Sequence, residues 1–205
     1  MASDELPDPP GPVPGAWIRI VASGGKPEDD WRRGLARMYR LWAELGGRDV
    51  ERIDLVASTG PACLLRIDGP DAWSRLRFED GIHRVERVLS IPGREMLDWV
   101  HARVDVWPAI EEVATLGTRI DLSRYTFGWA EKESLRVFGG LLWKGGQIAP
   151  FAPSPSDGPF VRTYSLHPTP RVFDERCEWA TRDVQHVLDG GLDELLAALA
   201  SARTG

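Results

Sequence analysis

Between Val100 and Trp107 the chain alternates strictly: Val100, Ala102, Val104 and Val106 fall on one side, His101, Arg103, Asp105 and Trp107 on the other. A period of two sends each set to its own face of a strand, so this stretch demands a sheet with one face buried. The covering layer must come from the helical patterns elsewhere. An α+β fold follows, a sheet with helices on one side.

Those patterns can be read in order. Residues 1–14 hold prolines and acids with too little apolar surface to order themselves, and are expected to form a disordered tail. Trp17 to Val21 reads as a strand with Ile18 and Ile20 on one face. Pro27, followed by Glu28, Asp29 and Asp30, is a helix start, because proline suits the first turn and acids suit the positive end of the helix dipole. Trp31, Leu35, Met38, Tyr39, Trp42 and Leu45 then recur at helical spacing until Gly46-Gly47. Strands are expected over Val50–Ala57, Ala62–Ile67, Arg119–Phe127, Val161–Leu166 and Arg171–Trp179. Thr181 is expected to cap a short helix ended by Gly190-Gly191, and Leu192, Leu195, Leu196 and Leu199 give the last helix its apolar face.

Composition limits the function classes. A formal net charge of −6 argues against a generally basic nucleic-acid binder, although a local patch can sit on an acidic whole. Only Lys26, Lys132 and Lys144 are lysines, so arginine supplies the remaining positive charge. No apolar run approaches the length of a membrane span, and the first residues carry acids and prolines instead of a basic and then apolar signal. A cytoplasmic protein is expected, with Cys63 and Cys177 as reduced structural thiols. His167 and His186 have no Cys or His at metal-ligand spacing, so neither metal nor cofactor is expected.

The stretch Leu76–Val88, LRFEDGIHRVERV, reads as a helix end at Trp73, Leu76 and Phe78, a turn at Asp80-Gly81, and a second amphipathic segment in which Ile82, Val85 and Val88 recur every third residue. It resembles the GVHR segment of bacterial class I peptide chain release factors, the factor 2 branch more than factor 1. GAWIRIVASGG from Gly15, DDWRRGLARMYRLWAEL from Asp29, VRTYSLHPTPRVFDER from Val161 and ATRDVQHVLDGGLDELLAAL from Ala180 resemble the same family, in its order.

That resemblance implies a sandwich fused from the family's second and fourth domains, with residues 15–127 and 161–205 packed as one domain. It implies that the helical first domain is missing from this chain. It also implies that 128–160 is a short remnant or replacement of the third domain, which in the family carries the GGQ loop. Glu133-Ser134-Leu135 stands where that loop should be, without the glutamine amide and two flexible glycines the chemistry needs. A literal Gly145-Gly146-Gln147 string occurs after LLWK, where a hairpin turn is the simpler reading. The codon-reading tripeptide aligns with Leu89-Ser90-Ile91, the wedging histidine with Asp98, the following threonine with Trp99, and the helix-tip glutamate with Pro27. Asp98 would repel phosphate and cannot stack on a base. Gly81, His83 and Arg84 form the family's structural motif, with His83 expected to tie the turn to the sheet.

Other constellations have plainer explanations. Arg32, Arg33, Arg37 and Arg40 could touch RNA phosphate, but a solvated helix face is the simpler account. Three functions stay open. The first is a non-hydrolytic binding or regulatory protein whose partner is the ribosome, RNA or a protein, with DNA and membranes excluded. The second is a repurposed enzyme, a hydrolase or transferase with a small-molecule or aminoacyl-ester pocket on the old codon-reading surface, lined by Trp99, Trp107, Trp129 and Trp143, with Asp98, Glu131 or Glu133 as base. The third is a minimal peptidyl-tRNA hydrolase using Gln147. Oligomeric state is not encoded in any pattern here.

Overall fold

A computed structural model describes residues 13–23, 25–57, 60–109 and 159–204. Strand β1 (Gly15–Ala22) is buried along its whole length. It leads through Ser23 into helix α1 (Lys26–Leu45), which has Pro27 in its first turn beside Glu28 and Asp29. Trp31, Leu35, Met38, Tyr39 and Trp42 are buried along one stripe, as their spacing requires. Leu45, expected to share it, is 74% exposed because the helix ends there and Gly46 turns the chain away. Strands β2 (Asp49–Ala57) and β3 (Gly60–Asp68) follow, then a short helix α2 (Ala72–Leu76) running into a 3-10 turn (Arg77–Glu79).

The segment after Asp80 is a strand, β4 (Gly81–Ile91), paired with β5 (Arg94–Pro108). The three-residue recurrence of Ile82, Val85 and Val88 therefore does not mark one buried stripe. Ile82 lies on one face of the sheet and Val85 on the other, and both are buried. β6 (Phe160–Ser165) pairs in parallel with β4, and all other neighbours in the sheet are antiparallel. The order across the eight strands is β2-β3-β1-β5-β4-β6-β7-β8, with β7 (Arg171–Asp174) and β8 (Trp179–Thr181) at one margin. Strands on both sides of residues 110–158 thus share one sheet.

The single strand expected over Arg171–Trp179 is instead a hairpin. Its turn holds Cys177 and places the non-glycine Glu178 at φ 53°, a conformation that no residue pattern announces. Cys63 and Cys177 are both free thiols. Helix α3 (Val184–Leu188) is capped by Asp183, whose carboxylate accepts the His186 N–H at 2.9 Å. Thr181, the expected cap, instead accepts the Asp183 N–H at 3.1 Å through its hydroxyl. Helix α4 (Asp193–Thr204) buries Leu195, Leu196 and Leu199. The buried residues of β1, β3, β5 and the helices form one cluster on one side of the sheet, the α+β arrangement read from the sequence. The expected strand at Arg119–Phe127 and the turn at Gly145–Gln147 lie outside the described residues.

Gly190 sets how closely α3 approaches α1. It sits at φ +97°, and a Cβ there would lie 2.6 Å from the Trp42 backbone nitrogen and 2.8 Å from the Leu41 carbonyl carbon. Backbone cannot rotate aside, so Gly190→Ala is expected to cost about 2–4 kcal/mol through strain and overpacking together. A urea midpoint that falls with an unchanged slope would show this, and an unchanged midpoint would refute it.

A charge network with Arg162, Glu79 and Asp174 fully buried at its centre joins the two halves of the chain. Arg162 on β6 donates to both oxygens of Glu79, at 2.8 and 2.5 Å, and reaches Asp174 on β7 at 3.2 Å. Tyr39 of α1 donates to Glu79 at 2.9 Å, and Arg176 holds Asp174 at 2.7 Å while also bonding the Phe78 carbonyl. Two carboxylates thus face two guanidiniums, so the cluster can be buried without net charge. His83 lies beside it, its Nε2 2.9 Å from the Glu79 carbonyl and its Nδ1 unpartnered. That pattern fits a neutral ring protonated on Nε2. Burial and the nearby Arg162 agree, holding its pKa down at about 4.

Candidate functional site

The pairing of β4 with β5 runs on to Ile91 and Arg94, whereas β6 leaves β4 at Glu86 and β1 leaves β5 at Ala102. The tips of both strands therefore project past their neighbours as a two-stranded ribbon, closed at Pro92-Gly93. Gly93 takes φ +86°, a conformation that favours glycine.

The ribbon carries apolar side chains on both faces. Ile91 is 42% exposed and Met96 39% on the face toward the helices, while Leu97 is 54% and Trp99 39% exposed on the other. Single exposed apolar residues are ordinary, but four of them on one projecting hairpin are unusual. Around Trp99 the surface is ordered. The Arg84 guanidinium stacks 4.7 Å from the Trp99 ring and 4.9 Å from that of Phe160, which is itself 42% exposed. Arg84 also donates to the Thr163 hydroxyl at 2.8 Å, which fixes the guanidinium plane. His101 packs 5.5 Å from Phe160, and burial followed by the charge of Arg84 lowers its pKa.

Asp98 lies in the ribbon facing Arg87, whose Nε and Nη2 donate to one carboxylate oxygen at 2.8 and 2.5 Å. So engaged, the carboxylate is a poor candidate for a general base. Gly81 opens β4 at φ +136°, where a Cβ would meet Val161 at 2.3 Å; glycine here admits β6 to the sheet.

The PCRF domain family matches residues 15–95. Peptide chain release factor 2 of Listeria monocytogenes serotype 4b is 26% identical over 234 residues, covering 89% of this chain and 63% of the relative. That of Chloroflexus aggregans is 27% identical over 237 residues, covering 91% and 65%. RF2 of Thermus thermophilus superposes with a TM-score of 0.68 at 20% identity, over 97% of this chain and 70% of that one. Along most of its length the chain is similar to release factor 2. Its match spans slightly less than two thirds of the length of the curated relatives.

The positions that the resemblance matched to codon reading collect at one end of the sheet. Leu89 and Ile91 end β4, Ser90 stands between them, Asp98 and Trp99 face β4 from β5, and Pro27 opens α1 where β1 runs out toward the same end. The arginine stripe of α1 is not an open basic surface. Arg32 is only 4% exposed and bonds Asp29 at 2.8 Å, so it does not lie on the solvated face at all. Arg33 also pairs with Asp29 at 2.5 Å, Arg37 with Asp189 at 2.7 Å and Arg40 with Glu44 at 2.8 Å. A phosphate approaching this helix would have to displace carboxylates.

Gln147, Glu133, Glu131, Trp129 and Trp143 lie outside the described residues. Trp107 pairs with Trp17 along the backbone of β5 and β1. Among the described residues no group of His, Cys, Asp and Glu is placed to hold a metal ion, and no helix is long and apolar enough to cross a membrane. The sequence reading missed Phe160 and the stacking role of Arg84. With β4 recognised as a strand, Arg84, Glu86 and Val88 would have fallen on the face of Trp99 and signalled it.

Proposed function

We propose that this release-factor-like chain is a non-hydrolytic binding or regulatory protein of the cytoplasmic translation apparatus, docking on the ribosome through its projecting hairpin. The observation that carries this is the ribbon surface itself. Where the family reads codons, this chain turns Ile91, Met96, Leu97 and Trp99 outward and ties Asp98 to Arg87. A ribbon apolar on both faces suits contact burial rather than base-specific hydrogen bonding. Absence of a glutamine where the GGQ loop aligns, at Glu133-Ser134-Leu135, supports loss of hydrolysis. In this reading 15–127 and 161–205 correspond to the family's second and fourth domains, and 128–160 replaces its third.

Sedimentation of the full chain with ribosomes tests the proposal. Co-sedimentation is expected, weakened about tenfold by Trp99→Ala, as for loss of an aromatic anchor. Peptide release from termination complexes should not exceed the rate without factor. Release that disappears in Gln147→Ala would establish the hydrolase reading instead, and failure to co-sediment at low salt would remove the ribosome as partner.

A further inference from the structure

We propose a second contact site on this chain, one that grips a backbone phosphate of RNA in a cleft formed by Arg171 and Arg182; it rests on the ribosome-docking reading above. The cleft has a volume of about 360 Å³ and is lined by Thr169, Pro170, Arg171, Ala180, Thr181 and Arg182. The β7–β8 register pairs Val172 with Thr181, which makes Arg171 and Arg182 the next residues outward along the two strands. Both are exposed, and among the described residues neither has a carboxylate partner. That sets them apart from the arginines of α1, all of which are paired. Like charges opposed across a ladder repel each other, so this pair weakens the hairpin until an anion sits between them.

The surroundings suit a phosphate. Arg171 stacks 4.4 Å from the Phe173 ring, which holds its guanidinium in a defined plane. Two guanidiniums on one face of the ladder can hold the oxygens of one phosphate group by charge-assisted hydrogen bonds.

Position favours RNA over a free ion. β6 runs parallel to β4, so the loop from Leu166 to Pro170 leaves the sheet at the end from which the hairpin projects. A strand lying across the Trp99 surface would reach this cleft at the same end of the molecule. The site is open, as passage of a polymer requires, and it supplies local positive charge on a chain of net charge −6.

The test is fluorescence anisotropy of a labelled single-stranded RNA oligonucleotide with the full chain over a range of salt, for Arg171→Gln, Arg182→Gln and the double variant. Each single change is expected to weaken binding about five- to tenfold. The double variant should also flatten the dependence of log K on log salt by about 0.7 per lost phosphate contact. Thermal midpoints should equal or exceed that of the parent, since the substitutions remove a repulsion. Unchanged affinity and slope in the double variant would overturn the proposal, as would inorganic phosphate stabilising the protein as strongly as the RNA does. Ribosome sedimentation, run in parallel, separates the two readings. If the double variant binds RNA normally while the parent pellets with ribosomes, the cleft assignment alone fails. If RNA binding needs both arginines but the parent never pellets, the ribosome reading fails and the cleft stands.

Discussion

Arg162→Met is expected to lower the unfolding free energy by about 3–5 kcal/mol, the cost of leaving a buried carboxylate without its partner. Arg162 is completely buried and is the guanidinium that holds Glu79, whereas Asp174 keeps Arg176 after the substitution. The orphan is therefore Glu79, left with only the Tyr39 hydroxyl. Adding Glu79→Gln removes the orphaned charge, and the double variant should recover a substantial part of the loss. Urea denaturation of the parent, both single variants and the double variant measures this coupling. A loss below about 1 kcal/mol in Arg162→Met would mean that the network is no more than a surface ion pair in effect.

Acidification is expected to remove several kcal/mol of stability in two overlapping stages. Burial alone would raise the Glu79 carboxyl, but the charge and hydrogen bonds of Arg162 outweigh it and hold its pKa at about 2 in the fold, below the ordinary 4.5. The unfolded chain takes up that proton first, so this contribution is complete above pH 4.5 and is lost as pH falls toward 2. His83 acts in the same direction at higher pH. Burial, then Arg162, lowers its pKa from 6.5 to about 4, so the unfolded chain binds a proton that the fold refuses. Its contribution is complete above pH 6.5 and declines down to about pH 4. The stability profile should thus begin to drop near pH 6.5, with a loss on the order of a few kcal/mol by pH 3. His83→Gln retains an N–H for the Glu79 carbonyl and should flatten only the upper stage. Thermal midpoints that stay level from pH 8 to pH 4 would refute the assignment.

How much of this could be read in the residues depended on the range over which each signal acts. β1, α1 and the alternating part of β5 announce themselves because their neighbours in sequence are also their neighbours on a face. β4 does not. Ile82 and Val85 are buried on opposite faces and the polar His83 between them is buried too, so the alternation that marks a strand is erased. The turn between β7 and β8 escaped because Glu178 adopts a left-handed conformation without the glycine or asparagine that would flag it. The Glu79–Arg162 pair joins residues 83 apart, and nothing local to either indicates the other. At the candidate site the resemblance singled out Leu89, Ser90, Ile91, Asp98 and Trp99 without indicating that they share a projecting ribbon. What those side chains touch, such as Arg87 on Asp98 or Arg84 between Trp99 and Phe160, required the register of β4 against β5 and β6.

The parallel pairing of β4 with β6 imposes a schedule on the nascent polypeptide. Ile82 meets Phe160, so an emerging chain must wait while the intervening residues are translated, roughly 4–16 s at ordinary elongation rates. Through that interval one edge of β4 has no strand beside it, and Glu79 stands without the cation that neutralises it. An uncovered strand edge is a template for pairing with another chain. Shielding is therefore needed most between the synthesis of the first half and the arrival of Arg162, and the segment that carries β6 is the one that makes the first half safe.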